Sequence, residues 1–111
     1  MTSSVHYTVM GAGNGGKTMA AHLALMGFSV TLYNRTAERV APIKARRGID
    51  LEGPEGSPHG FGRLHCVTSD VAEAVADAEI LMVVVPATAH APIARNVAPY
   101  LRDGQIVILH P

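Results

Sequence analysis

The residues best suited to chemistry are Gly11-Ala12-Gly13-Asn14-Gly15-Gly16-Lys17-Thr18, in which two motifs overlap. Gly11, Gly13 and Gly16 form G-x-G-x-x-G, a dinucleotide fingerprint. Gly11, Gly16, Lys17 and Thr18 form G-x-x-x-x-G-K-T, a P-loop. Either motif sets a phosphate against backbone N–H groups at a helix N-terminus, where unpaired amides and the helix dipole favour negative charge. The two differ in what they demand of the rest of the chain.

A P-loop needs an aspartate at the tip of a buried apolar strand, to hold Mg²⁺ together with the loop hydroxyl. The apolar runs 80–85 and 105–109 lead instead into Pro86 and His110, and Asp70 and Asp77 fall at helix ends. A dinucleotide fingerprint needs a ribose-reading residue about 20 positions further on, at the end of the second strand. Asn34, Arg35 and Thr36 stand there. A carboxylate at that place would accept the ribose hydroxyls of NAD and repel a 2′-phosphate. Arg35 can instead pair with a 2′-phosphate by charge-assisted hydrogen bonds, and Thr36 can donate one more. The octapeptide therefore reads as a dinucleotide cradle that favours NADP, with NAD as the alternative. Lys17 and Thr18 become ordinary first-turn helix residues, and a small P-loop ATPase is the rival reading.

Other reactive side chains carry less. His90 follows the apolar run 80–85, at the carboxyl edge where parallel sheets bind ligands, and is placed to face the nicotinamide or the substrate. His6 and His22 read as structural. His59, His65 and Cys66 lack metal-ligand spacing, so no metal site is expected. No residue is identified as catalytic. The single cysteine excludes an internal disulfide, and Cys66 reads as a small buried strand residue.

The elements that must position the cradle follow from periodicity. Residues 5–10 form a short apolar run with β-branched and aromatic members, closed by glycine, which is a strand signal. Met19, Ala20, Leu23, Ala24 and Met26 recur at helical spacing, and Gly27 sits where a left-handed residue would end that helix. Strands are expected over 28–33, 64–68, 80–85 and 105–109. Run 80–85 lacks alternation and so reads as a central parallel strand covered on both faces. Thr36 would cap a helix from Ala37 towards Ala45, shortened or bent by Pro42. Asp70 and Glu73 would form a capping box over 71–76, and Thr88 would cap a helix from Ala89. Residues 48–62, rich in Gly and Pro, read as a small hairpin or loop insertion of unreadable register. The order is that of a Rossmann-type α/β fold, a doubly wound parallel sheet in three layers.

The chain of 111 residues has the length of one domain, and its formal net charge of zero gives no electrostatic case for nucleic acid or an anionic membrane. There is no basic segment followed by an apolar run at the N-terminus, and the run 80–85 is too short to span a bilayer. A cytoplasmic location is expected.

Residues 11–16, Asn34-Arg35-Thr36, Val84-Val85-Pro86-Ala87 with His90, and Ile106-Val107-Ile108-Leu109-His110-Pro111 together resemble the cofactor domain of the opine dehydrogenase family. Ketopantoate reductases and glycerol-3-phosphate dehydrogenases are similar in outline. The resemblance implies NAD(P)H-dependent reductive condensation of an amino acid with a 2-keto acid through an imine. It implies that Gly11, Ala12, Gly13, Asn14, Gly15 and Gly16 hold the pyrophosphate, and that Val85, Pro86 and Ala87 line the nicotinamide half of the crevice by backbone contacts. Two departures stand out. His110 replaces the family's usual Asn before the last Pro, and the glycine-rich continuation is absent. The family's catalytic His–Asp pair lies in a helical second domain that this chain lacks. The expectation is one NAD(P)-binding domain over 1–111, cut after Pro111, inactive alone, and taking amino acid and keto acid only with the missing domain. Its uncovered sheet edge is expected to make it self-associate or be marginally stable. A free-standing dinucleotide-sensing module is the alternative.

Overall fold

A computed structural model describes residues 5–110; Pro111, which closes the last motif, lies outside them. Strand β1 (His6–Met10) runs into the glycine cluster and helix α1 (Asn14–Leu25), then β2 (Ser29–Tyr33) and α2 (Ala37–Arg46). A hairpin of β3 (Gly48–Leu51) and β4 (Gly60–Arg63) precedes β5 (Cys66–Thr68) and α3 (Val71–Ala76). Strand β6 (Ile80–Val84), helix α4 (His90–Val97) and β7 (Ile106–His110) complete the chain. The main sheet has the order β5-β2-β1-β6-β7, with every pair parallel. The chain winds outward from β1 in both directions, so a crevice opens between β1 and β6 at their carboxyl ends.

The strand side chains sort into two cores, one on each face, as a three-layer architecture requires. Val9, Val30, Leu32 and Val67 pack with Ala20 of α1 and Val40 of α2. Met10, Tyr33, Leu81 and Val83 pack with Ala74 and Val75 of α3 and Val97 of α4. A polar bond crosses the second core: the buried Thr8 hydroxyl donates to the Ala74 carbonyl at 2.6 Å. No helix among the described residues is long and apolar enough to cross a membrane.

Helix α1 ends as its sequence requires. Gly27 takes φ +96°, its N–H donates to the Ala24 carbonyl, and the Phe28 N–H donates to the Leu23 carbonyl. Those two bonds make a Schellman motif, and Met26, counted above as part of the apolar stripe, lies at its cap, 57% exposed.

Several expectations need correcting. Helix α2 spans the expected residues, but Pro42 does not shorten it: it continues to Arg46 and ends on Arg47, a non-glycine residue at φ +61°. Thr36 occupies its N-cap without a side-chain bond. Only half of the capping box at α3 forms. Asp70 accepts from Ala72 and Glu73 N–H, but the Asp70 N–H donates to Thr68 Oγ1 at 3.0 Å, and Glu73 turns to the Cys66 thiol. A nearby hydroxyl has taken the role that Glu73 would play in the full box. Thr88 caps nothing: Ala87–Ala89 is a 3₁₀ turn after Pro86, and α4 starts at His90.

Strand β6 is central, but it is sealed on one face only. Leu81 and Val83 are buried, whereas Ile80, Met82 and Val84 are half-buried, and β7 beside them is exposed along its whole length. The start of β7 is held by Gln105, whose amide donates to the Val75 and Ala78 carbonyls at 2.9 and 2.8 Å. Val75 is in the last turn of α3, where its carbonyl also accepts from the Ala78 N–H, and Ala78 follows the helix end.

The insertion is a true hairpin, and its register follows from docking on α1. Gly62 lies flush on α1, so that a Cβ there would come within 2.8 Å of the Ala21 carbonyl oxygen. Gly48 is equally closed in by the Gly62 carbonyl and the Phe61 ring.

Candidate dinucleotide site

The three spaced glycines do three different things. Gly11 turns the chain off β1 at φ +120°, donates its N–H to the Tyr33 carbonyl at 2.8 Å, and would drive a Cβ to 2.4 Å from the Val84 carbonyl oxygen. Gly16 lets the helix start sit on that turn, since a Cβ there would lie 1.8 Å from the Gly11 carbonyl oxygen. Gly13 is the N-cap of α1 in extended conformation, and a Cβ on it would meet nothing within 4 Å. The first and third glycines are needed for packing, and the second leaves open space at the helix start. That is the division of labour by which a dinucleotide loop admits a pyrophosphate.

The helix start is also prepared electrostatically. No side chain caps it, and no acidic residue lies in its first turn. Its dipole, about half an elementary charge, is left free for an anionic ligand. Asn14 and Gly15 are exposed beside Gly13, while Ala12 is buried. Lys17 and Thr18 line a small cavity with Ile49, Asp50 and Leu51 of β3, on the hairpin side of α1.

The end of β2 meets this loop. The Ala12 N–H donates to Asn34 Oδ1 at 3.2 Å, and Asn34 Nδ2 donates to the Thr36 carbonyl at 3.1 Å. Asn34 thus joins the loop to the turn that carries Arg35 and Thr36. Both of these are exposed and line a cavity of about 450 Å³ with Gly11, Tyr33, Val85 and Pro86. Its far wall comes from α4, through Pro92, Ile93 and Asn96. No Asp or Glu is among its lining residues, and its two cations are Arg35 and Arg39.

Sequence reasoning missed Arg39. The signal was available: on a helix beginning at Ala37, position 39 lies in the first turn and faces the same end of the sheet as Arg35. It also missed the α4 wall, because the 3₁₀ turn at Ala87–Ala89 sets the face of α4 that reaches the crevice.

The crevice gathers Gly11, Asn34, Arg35, Thr36, Val85 and Pro86 into one wall. Ala87 and His90 do not line it. His90 Nε2 is buried without a hydrogen-bond partner among the described residues. The remaining histidines are occupied or peripheral. His6 is buried, with its two ring nitrogens on Ser29 Oγ and Thr31 Oγ1 at 2.8 and 2.9 Å, and His22 is exposed on the last turn of α1. Cys66 is half-buried beside Glu73, and burial together with that carboxylate pushes its thiol above the usual range, which suits an inert cysteine.

Residues 6–110 match the family model described as the NAD binding domain of 6-phosphogluconate dehydrogenase. The chain is 44% identical over its full length to opine dehydrogenase from Arthrobacter sp. (strain 1C), covering 30% of that protein. It is 31% identical over 97% of its length to glycerol-3-phosphate dehydrogenase [NAD(P)+] of Teredinibacter turnerae (strain ATCC 39867 / T7901), again covering 31% of the relative. Among solved structures, octopine dehydrogenase with NADH and L-arginine superposes with a TM-score of 0.83 at 25% identity, over 97% of this chain and 28% of that one. The chain thus spans about 30% of the length of the curated relatives it matches.

Proposed function

The chain belongs to the NAD-binding domain family described from 6-phosphogluconate dehydrogenase, and from that premise we propose that it is the cofactor domain of an opine dehydrogenase-like oxidoreductase that prefers NADP(H). One observation carries the preference. The turn after β2 presents Arg35 and Thr36 to the crevice, Arg39 stands on the same wall, and no carboxylate is there to take the ribose hydroxyls. Two guanidiniums on one cavity favour a ligand with an extra phosphate.

The chain's own residues then have separate duties. The loop from Gly11 to Gly16 receives the pyrophosphate on free N–H groups at the start of α1. Arg35, Thr36 and Arg39 receive the ribose phosphate. Val85 and Pro86, at the tip of β6, support the nicotinamide half, with Ala87 beside them. His90 stands behind that tip, at the start of α4. The bound dinucleotide supplies hydride for reduction of an imine formed from an amino acid and a 2-keto acid. This chain's part is to hold and orient it.

Fluorescence titration tests the reading. NADPH is expected to bind at least tenfold more tightly than NADH, and Arg35→Ala to remove most of that difference, which corresponds to about 1.4 kcal/mol. Equal affinities in the unmodified protein would sink the NADP preference.

A further inference from the structure

A second cavity opens at the opposite end of the sheet from the dinucleotide crevice. Its volume is about 520 Å³, and it is bounded by the first residues of β2 and β5, Ser29 and Cys66, and by the end of α2. Lys44, Arg47, Arg63 and His65 stand around it. They come from two stretches of the chain, the last turn and cap of α2 and the end of β4 with the step into β5, so the folded topology assembles them. We propose that this cavity is a binding site for a small polyanion, a metabolite carrying two or more phosphate or carboxylate charges.

Three observations carry this. The first is charge. Among the described residues Lys44, Arg47 and Arg63 form no ion pair, whereas neighbouring Arg46 is neutralised by Asp50 at 2.8 Å and lies over the Phe61 ring. The one carboxylate on the cavity, Glu73, accepts from the Cys66 thiol at 3.7 Å, and the three exposed cations Lys44, Arg47 and Arg63 line the same cavity. In a chain of zero net charge this is a local positive excess. The carbonyl end of α2 balances only about half an elementary charge of it.

The second is backbone conformation. Arg47 holds φ +61°, the one non-glycine residue among those described with positive φ. Its carbonyl accepts from the Leu64 N–H at 2.9 Å, which fixes the cap of α2 against the strand that carries Arg63. Glycine is the residue this left-handed position favours, yet an arginine occupies it and lines the cavity. Because β3 pairs Gly48 with Arg63, the two guanidinium-bearing segments are held side by side.

The third is shape. The cavity is concave and of metabolite size, and Leu64, Val67 and Phe28 give it an apolar side against which a ligand's carbon frame can rest. Planar guanidiniums match the paired oxygens of phosphate and carboxylate alike.

Calorimetric titration of the protein with sodium pyrophosphate, and separately with citrate, at low ionic strength distinguishes the two kinds of anion. Saturable binding of either is expected, weakened at least tenfold by Arg47→Gly and by Arg63→Gln. Arg47→Gly should leave the thermal midpoint unchanged or raised, because glycine suits the cap, so a lost affinity cannot be ascribed to unfolding. Arg63→Gln is an exposed change that tests the same site without touching the cap. Binding should survive Gly13→Ala, which alters the dinucleotide loop and not this cavity. The proposal is overturned by absence of saturable binding at millimolar anion, by unchanged affinity in both arginine variants, or by binding that Gly13→Ala alone abolishes.

Discussion

The backbone N–H of Ala12 donates to Oδ1 of Asn34 at 3.2 Å, and this bond ties the phosphate loop to the end of the neighbouring strand. The same side chain reaches the Thr36 carbonyl at 3.1 Å. A single amide therefore sets the spacing between the helix start that receives one phosphate and the turn that carries Arg35.

Replacing that amide separates positioning from charge. Asn34→Ala removes two hydrogen bonds of about 1 kcal/mol each. It is expected to weaken NADH and NADPH alike, by roughly tenfold. Asn34→Asp keeps the acceptor for Ala12 but sets a carboxylate beside Arg35, which repels a 2′-phosphate. Its ratio of NADPH to NADH affinity should swing towards NADH by about an order of magnitude. An Asp variant with the wild-type ratio would mean that this turn does not read the ribose.

The glycines allow folding and binding to be tested apart. Gly16→Ala would place a Cβ 1.8 Å from the Gly11 carbonyl oxygen and is expected to destabilise the domain severely, by about 3 kcal/mol or more. Gly13→Ala meets nothing within 4 Å, so its melting curve should shift by no more than about 1 kcal/mol. The added methyl should nevertheless fill the space left for the pyrophosphate and cost at least tenfold in cofactor affinity. Thermal melts and cofactor titrations of the two variants decide. A Gly13→Ala protein that binds normally would contradict the assigned role of the loop.

The main sheet was legible because its strands are short β-branched or apolar runs closed by turn residues, and each strand lies within two residues of its expected bounds. The loop was legible because three glycines at fixed spacing each meet a steric demand. The rest depended on contacts no local pattern reports. The hairpin register is set by Gly62 against Ala21, two residues without a periodic signal between them. Thr68 takes the Asp70 N–H that Glu73 would accept in the expected box, and Glu73 accepts from the Cys66 thiol instead. Arg39 joins the crevice only once the first turn of α2 and the start of α4, on opposite faces of the sheet, meet at its carboxyl edge, and the positive cavity exists only once the end of α2 meets the start of β5.

His6 gives the fold a pH dependence whose sign can be worked out. It is buried at the start of β1 between Ser29 and Thr31, with the His65 ring edge-on at 5.2 Å. Burial first, and His65 second, hold its pKa below the ordinary histidine value of 6.5, against the opposing pull of Asp77 and Glu79. The unfolded chain therefore binds the proton more readily, so this contribution is complete above the ordinary value and is lost as pH falls through the folded one. Urea midpoints should drop between about pH 8 and about pH 5.5, and His6→Gln, less stable at the upper end, should flatten that slope. Parallel slopes in the two proteins would assign the pH dependence to other groups.

Strand β7 carries the last expectation. Ile106, Val107, Ile108 and Leu109 are 53, 40, 41 and 55% exposed, on a strand that among the described residues forms the edge of the sheet. Apolar area is worth about 25 cal/mol per Å² when removed from water, and an unpaired edge is a template for another chain. The 111-residue chain on its own is therefore expected to self-associate in a concentration-dependent way. Ile106→Lys and Leu109→Lys place a charge on either face of the same strand, and each should shift the mass measured by light scattering towards the monomer. Their cofactor affinity should be unchanged, since neither residue lines the crevice. A monodisperse monomer from the unmodified chain, with a cooperative melt well above room temperature, would show that this edge is stable without a partner. Its apolar residues would then need another explanation.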